Sequence, residues 1–240
     1  MIARHSGTDT RVLADAAAVA EAAAAFIAVE ARSAIGARGR FVLAVSGGRT
    51  PWDMLRRLAR EDLPWERVHV FQVDERVAPA GDAVRNLTHL HECLDARVPP
   101  ARLHAMPVEA PDLVEAAQRY AHELAAIAGV PPILDLAHLG LGNDGHTASL
   151  VPHDPVLAIE DRDVALSGPY EGHLRMTMTR PLLDRARRLL FVVTGAEKAP
   201  MLARLRAHDA TIPAGCLHFA RAMILCDALA AGEAAPGDMR

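Results

Sequence analysis

The 240-residue chain is poor in cysteine, in aromatic side chains and in any excess of positive charge, and each shortage removes a class of protein. Its three cysteines, Cys93, Cys216 and Cys226, are odd in number and include no Cys-x-x-Cys pair, so they make neither a disulfide framework nor a thiolate zinc site. They read as buried free thiols, and the chain is expected to be cytoplasmic. A formal net charge of −4 excludes a surface built for nucleic acid or an anionic membrane, where affinity rests on clustered Lys and Arg. No uninterrupted apolar run reaches bilayer length. The alanine tract from Ala14 to Ala31 carries Asp15, Glu21 and Glu30 and reads as a long soluble helix. Two motifs are also missing: the Gly-Lys-Ser/Thr end of a P-loop and the Gly-x-Ser-x-Gly elbow of serine hydrolases. Neither a repeat nor a low-complexity linker divides the chain. A single domain over 1–240 is expected, with a small, polar, frayed tail at 229–240.

What is present is a chain with 51% hydrophobic and 23% charged residues, long enough to bury a sizeable core. Apolar runs alternate with helical stretches. This is the pattern of an α/β fold with an open, mainly parallel sheet flanked by helices on both faces (Rossmann-like), with a few extra strands. After the alanine-rich helix, Gly36 to Gly39 suggest a break. Phe41–Val45 then reads as a buried strand, and Pro51 opens a helix to about Arg60. Further strands are expected at Arg67–Val73, Ile133–Leu139 and Leu189–Val193, with an edge strand at Arg175–Thr179. Helices are expected at Asn86–Leu94, at Asp112–Ala128 and from Gly195–Lys198 onward. Four buried strands thus end in polar, glycine-bearing loops. If they are parallel, those loops meet at one rim, where open α/β sheets bind ligands.

The first loop, Ser46-Gly47-Gly48-Arg49-Thr50-Pro51, places two glycines, two hydroxyls and an arginine before a helix. Glycines let backbone approach an anion, and the helix N-terminus offers unpaired N–H groups, so Ser46, Gly47, Gly48, Arg49 and Thr50 read as a phosphate cradle. Asp74-Glu75-Arg76 follows the second strand; Arg76 offers planar donors to a phosphate or oxyanion, and Asp74 could orient a sugar hydroxyl. The third loop, Gly140-Leu141-Gly142-Asn143-Asp144-Gly145-His146-Thr147, is the most specific. It holds a histidine suited to general-base work near neutral pH, with Asp144 as its expected partner. Lys198 at the fourth loop and Arg175 on its strand complete a small basic rim. His89 and His91 lie two apart on a helix and do not share a face, and His146 and His153 lack an obvious third ligand. No metal site is expected.

With these loops in order, the sequence resembles the family of 6-phosphogluconolactonases and glucosamine-6-phosphate isomerases/deaminases. The resemblance runs through Ser46–Pro51, Asp74-Glu75-Arg76-Val77, Asn86, Gly140–Leu150, Arg175-Met176-Thr177 and Gly195-Ala196-Glu197-Lys198-Ala199. It implies hydrolysis of 6-phosphogluconolactone in the oxidative pentose phosphate pathway, without metal or organic cofactor. His146 would be the base, and Arg76 and Lys198 would bind phosphate and substrate, with Asn86 and Arg175 among the substrate-facing residues. The lactonase pattern usually has Ser at Arg49 and Phe at Val151. The deaminase branch carries a glutamate five residues after its histidine, where this chain has Val151, and an aromatic residue where it has Arg76. Both differences point to the lactonase branch. The partner expected is therefore a small phosphorylated sugar lactone, bound by a monomer or weak homo-oligomer. The alternatives are a sugar-phosphate isomerase/deaminase and a non-catalytic sugar-phosphate sensor.

Overall fold

The computed structural model describes residues 9–94 and 96–233. It opens with strand β1 (Asp9–Leu13) and helix α1 (Ala16–Arg38), which Asp15 caps by accepting the Ala18 N–H at 2.8 Å. The break expected over Gly36–Gly39 falls at its last residue: the helix passes through Gly36 and stops at Gly39, whose φ of 75° is the left-handed cap that glycine supplies. One glycine inside a helix costs only about 1 kcal/mol, less than the buried stripe of Val19, Ala23, Ile27, Ala31 and their neighbours returns.

The chain continues through β2 (Phe41–Val45), α2 (Arg49–Leu58), β3 (Val68–Gln72), β4 (Asp74–Arg76), α3 (Asn86–Leu94), β5 (Leu103–His104) and α4 (Leu113–Ala128). It then runs through β6 (Leu136–Leu139), β7 (Val164–Tyr170), β8 (His173–Met178), α5 (Arg180–Asp184), β9 (Leu189–Val193), α6 (Ala199–Arg206) and β10 (Ala222–Asp227). Among the described residues, seven strands form a wholly parallel sheet in the order β1-β10-β9-β6-β2-β3-β5. Both faces are covered, which is why β2, β3 and β9 are buried along their whole length. Alternate residues of β2 serve opposite cores. Leu43 packs with Ile27, Met54 and Leu90 of α1–α3, while Ala44 joins the cluster that holds Tyr120 and Leu124 of α4 and Leu202 of α6.

The sequence expectation that Arg175–Thr179 is an edge strand is corrected. β8 is the centre of a separate three-stranded antiparallel sheet, β4-β8-β7, because β7 returns through a tight turn and the short β4 pairs with its other side. Within the expected tail, Asp227 accepts the Ala230 N–H at 2.8 Å and Ala230 is buried, while Leu229, Gly232 and Glu233 are exposed. The remainder of the expected tail, 234–240, lies outside the described residues.

Candidate active site

Strand order decides where the cleft lies. From β2 the chain moves outward to β3 and β5, then returns to β6 on the other side of β2 and proceeds to β9 and β10. The loops after β2 and β6 therefore diverge at the reversal point, leaving a crevice beyond the strand ends. A cavity of about 300 Å³ fills it, lined by Ser46, Gly47, Gly48, Asp74, Arg76, Asn86, residues 140–143, His146, Thr147, Ala148, Tyr170, Glu171, Arg175 and Lys198. All four loops expected at one rim are represented.

The loop after β6 is folded tightly around its histidine. Gly142 N–H donates to His146 O (2.8 Å) and Gly145 N–H to Gly142 O (3.1 Å). A Cβ at Gly142 would stand 2.1 Å from His146 Nδ1, so only glycine permits this approach. Gly145 combines φ +83° with a wall formed by Ile212, 2.6 Å from where its Cβ would be. The turn brings Asp144 Oδ1 to 2.6 Å from His146 Nδ1, and the same oxygen accepts the His146 N–H at 3.1 Å. In the neutral ring, with Nδ1–H donated to the carboxylate, Nε2 carries the free lone pair, and it has no protein partner among the described residues. Burial pushes the Asp144 carboxyl up, but the bonds from His146 and Tyr170 outweigh it and hold the group below its ordinary value. Asp144 is therefore a carboxylate at neutral pH.

On the opposite wall, alternation along β4 sends Asp74 and Arg76 to one face and Glu75 to the other. Glu75 is fully buried and accepts the N–H groups of Arg76, Asn86 and Leu87, each at 2.8 Å. It thereby caps α3 from a distance and ties that helix to the strand. The buried Arg85 pairs with the same carboxylate at 3.1 Å. Asn86 in turn donates to Asp74 O (3.0 Å) and accepts from Arg76 Nη1 (3.1 Å), which also donates to Val84 O. This leaves Arg76 Nη2 without a protein partner among the described residues. Asp74 is buried and accepts a 2.6 Å bond from Ser149 Oγ; burial raises its carboxyl despite that bond and the nearby Arg175 and Arg76.

At the third wall, α2 begins at Arg49 with Gly48, a cavity residue, as its cap and no side-chain cap bond. A Cβ at Gly47 would meet Asn86 Oδ1 at 2.1 Å. Two members of the expected cradle are placed elsewhere. Arg49, the first helical residue, is exposed and does not line the cavity, and the Thr50 hydroxyl bonds Thr194 Oγ1 at 2.7 Å, tying the loop to the end of β9. Lys198 does line it, with no ion pair or side-chain hydrogen bond among the described residues. It is the only lysine in the sequence, against 25 arginines.

Arg175 faces Arg76 across the β4–β8 register and is only 3% exposed. Its Nη2 donates to Glu171 (3.0 Å) and to Tyr170 O (3.3 Å), its guanidinium lies 4.9 Å from the Tyr170 ring centre, and its Nε is buried without a partner. Tyr170 and Glu171 are cavity residues that the loop-by-loop reading of the sequence does not reach. Tyr170 Oη donates to Asp144 Oδ2 at 3.1 Å, and its ring meets His146 edge-on with centroids 5.1 Å apart. The one signal available was scarcity, since the chain has just two tyrosines. Among the described residues, no three His, Cys, Asp or Glu side chains are grouped so as to hold a metal ion.

Fold and site together define a class: an α/β protein with a cationic cleft and a histidine–carboxylate pair at the carboxyl ends of its parallel strands. The family model described as glucosamine-6-phosphate isomerases/6-phosphogluconolactonase matches residues 14–225, and the chain belongs to that family. A 6-phosphogluconolactonase from Synechocystis sp. is 43% identical over 183 residues, spanning 74% of this chain and 76% of its own. The solved 6-phosphogluconolactonase from Thermotoga maritima superposes with a TM-score of 0.81 at 26% identity, covering 91% of this chain and 98% of its own. A monomeric glucosamine-6-phosphate deaminase reaches a TM-score of 0.82 at 19% identity, covering 93% and 99%, so the fold alone does not choose between the two activities.

Proposed function

We propose that this protein hydrolyses 6-phospho-D-glucono-1,5-lactone to 6-phospho-D-gluconate, the lactone-opening step of the oxidative pentose phosphate pathway. The observation that carries the reading is the 2.6 Å Asp144–His146 contact, which leaves Nε2 as a base in a cleft lined by Arg76, Arg175 and Lys198.

Nε2 of His146 takes a proton from water as the water oxygen bonds to the lactone carbonyl carbon. The resulting imidazolium is stabilised by the Asp144 carboxylate. Arg76 Nη2 then donates to the tetrahedral oxyanion, a contribution of about 3 kcal/mol per donor. Collapse of that intermediate breaks the carbon–ring-oxygen bond, and the departing oxygen takes the proton from His146. A positioned base contributes about 10²–10⁴-fold, sufficient for an ester already prone to spontaneous opening. Lys198 and the N-terminus of α2 hold the phosphate at the remote end, converting its binding into orientation at C1.

The isomerase/deaminase alternative needs a ring-opening relay five residues beyond the histidine. That position is the buried, apolar Val151. The sensor alternative leaves the Asp144–His146 pair without a task. We further propose a single sugar-phosphate domain working in the cytoplasm as a monomer or weak homo-oligomer; no helix among the described residues is long and apolar enough to cross a membrane. The test is an initial-rate assay on freshly generated 6-phosphogluconolactone, corrected for spontaneous hydrolysis, run beside an ammonia assay on glucosamine 6-phosphate. Lactone turnover without ammonia is expected; ammonia release, or sugar-phosphate binding without turnover, would transfer the site to one of the alternatives.

A further inference from the structure

Among the described residues, two acidic side chains line the cleft. Asp74 is buried and engaged by Ser149, whereas the Glu171 side chain is 66% exposed and lies on the same wall as Tyr170, which contacts His146. Glu171 and Gly172 form the two-residue turn between β7 and β8, both with positive φ (51° and 81°), as the turn's handedness requires. Glycine at the second position is ordinary. A glutamate at the first is an uncommon choice, since Asn, Asp and Gly tolerate that region better. Its carboxylate is turned back onto Arg175, a guanidinium that is 3% exposed and, among the described residues, forms its one close ion pair with Glu171, the buried Asp74 standing nearby.

Ring opening changes the charge at one end of the ligand. The lactone is neutral at C1, whereas the product carries a carboxylate there in addition to its phosphate. A cleft walled by Arg76, Arg175 and Lys198 therefore holds its product more tightly than its substrate unless something offsets the difference. We infer that Glu171 is a specificity-determining residue of this cleft: by compensating Arg175 and adding a negative charge on the histidine side, it disfavours the C1 carboxylate and promotes product release. The inference rests on the lactonase reading for the position of C1, and its test does not require turnover.

Two stable ligands isolate the effect: 6-phosphogluconate and glucitol 6-phosphate, which share the phosphate and differ by carboxylate against hydroxymethyl at C1. A like-charge pair roughly 8 Å apart in a half-solvated cleft is worth about fivefold in a binding constant. Titration calorimetry on the full chain should show Glu171→Gln tightening 6-phosphogluconate about fivefold and glucitol 6-phosphate less than twofold, with Glu171→Asp, which keeps the charge, near the parent for both. Equal tightening of the two ligands by Glu171→Gln would make Glu171 merely a competitor for the phosphate and overturn the inference, as would no change in either. Absence of lactone turnover in the parent would instead count against the lactonase reading, and the calorimetric ratio would still decide the effect of Glu171 on a C1 carboxylate.

Discussion

Replacing Asp144 by Asn isolates the part of the machinery on which the histidine depends. The parent carboxylate accepts three bonds: the His146 N–H at 3.1 Å, the His146 ring at 2.6 Å and the Tyr170 hydroxyl at 3.1 Å. An asparagine oxygen can replace the first two and keep the same tautomer, while its NH₂ turns toward Tyr170 Oη, which must then accept. Geometry is largely retained and the negative charge is lost. A hydrogen bond to a charged group contributes about 1.5–3 kcal/mol. The Asp144 side chain is 33% exposed, so screening reduces the figure toward the lower end. At about 1.4 kcal/mol per tenfold, kcat should fall roughly 10–100-fold. KM should stay within about twofold, because Asp144 acts through His146 and is not part of the cavity wall. Initial rates across lactone concentration at one neutral pH give both numbers. A kcat within twofold of the parent, or a loss carried wholly by KM, would refute the reasoning that Asp144 supports the base.

Gly142→Ala places a methyl 2.1 Å from His146 Nδ1 and 2.7 Å from Asp144 Oδ1, so the pair must move apart; a misplacement of about 1 Å costs on the order of 10²-fold in turnover, and a variant at parent rate would show that the pair is not needed in this geometry. Lys198→Ala should raise KM for the phosphorylated lactone roughly tenfold or more, the worth of one charge-assisted bond, while leaving unphosphorylated gluconolactone unaffected; equal effects on both substrates would remove Lys198 from the phosphate end. His138 lies wholly buried under the first loop, accepts the Ser46 N–H at 3.3 Å, and is held by burial at about 3. The unfolded histidine titrates near 6.5, so between pH 6.5 and 3 only the unfolded chain takes up this proton; the stability present above pH 6.5 falls as pH is lowered, by about 3 kcal/mol at this site by pH 4 and about 5 kcal/mol below pH 3. Urea unfolding at pH 7 and pH 4 should show a smaller acid loss for the non-titrating His138→Gln, and an identical loss in parent and variant would contradict the assignment.

Legibility in the sequence followed the strength of the local signal. Phe41–Val45 and Leu189–Val193 are apolar runs buried on both faces, and the structure places both strands at those bounds. β1 escapes such reading because it is an edge strand: Asp9 to Leu13 is mostly exposed and earns its pairing only from β10, more than two hundred residues away. β4 is three residues long and reads as a charged loop, and β7 contains Gly168 and Pro169, which argue locally against a strand. Missing those two made β8 look like an edge. The same gap conceals Tyr170 and Glu171, since their approach to His146 and Arg175 is a product of antiparallel register, not of any loop motif. By contrast, Asp144 and His146 share one glycine-rich turn, so their partnership was written locally. Arg49 and Thr50 show the converse: residue type suggested a phosphate contact, and only the folded chain shows that Arg49 is exposed and that the Thr50 hydroxyl bonds Thr194.

The most direct test of the central claim is the turnover number of His146→Ala on freshly generated 6-phosphogluconolactone, measured against the parent with spontaneous opening subtracted. Loss of the base predicts a fall of about 10²–10⁴-fold, with 6-phosphogluconate binding within a few-fold of the parent because Arg76, Arg175 and Lys198 remain. Turnover near that of the parent would contradict the account, whatever the other variants show.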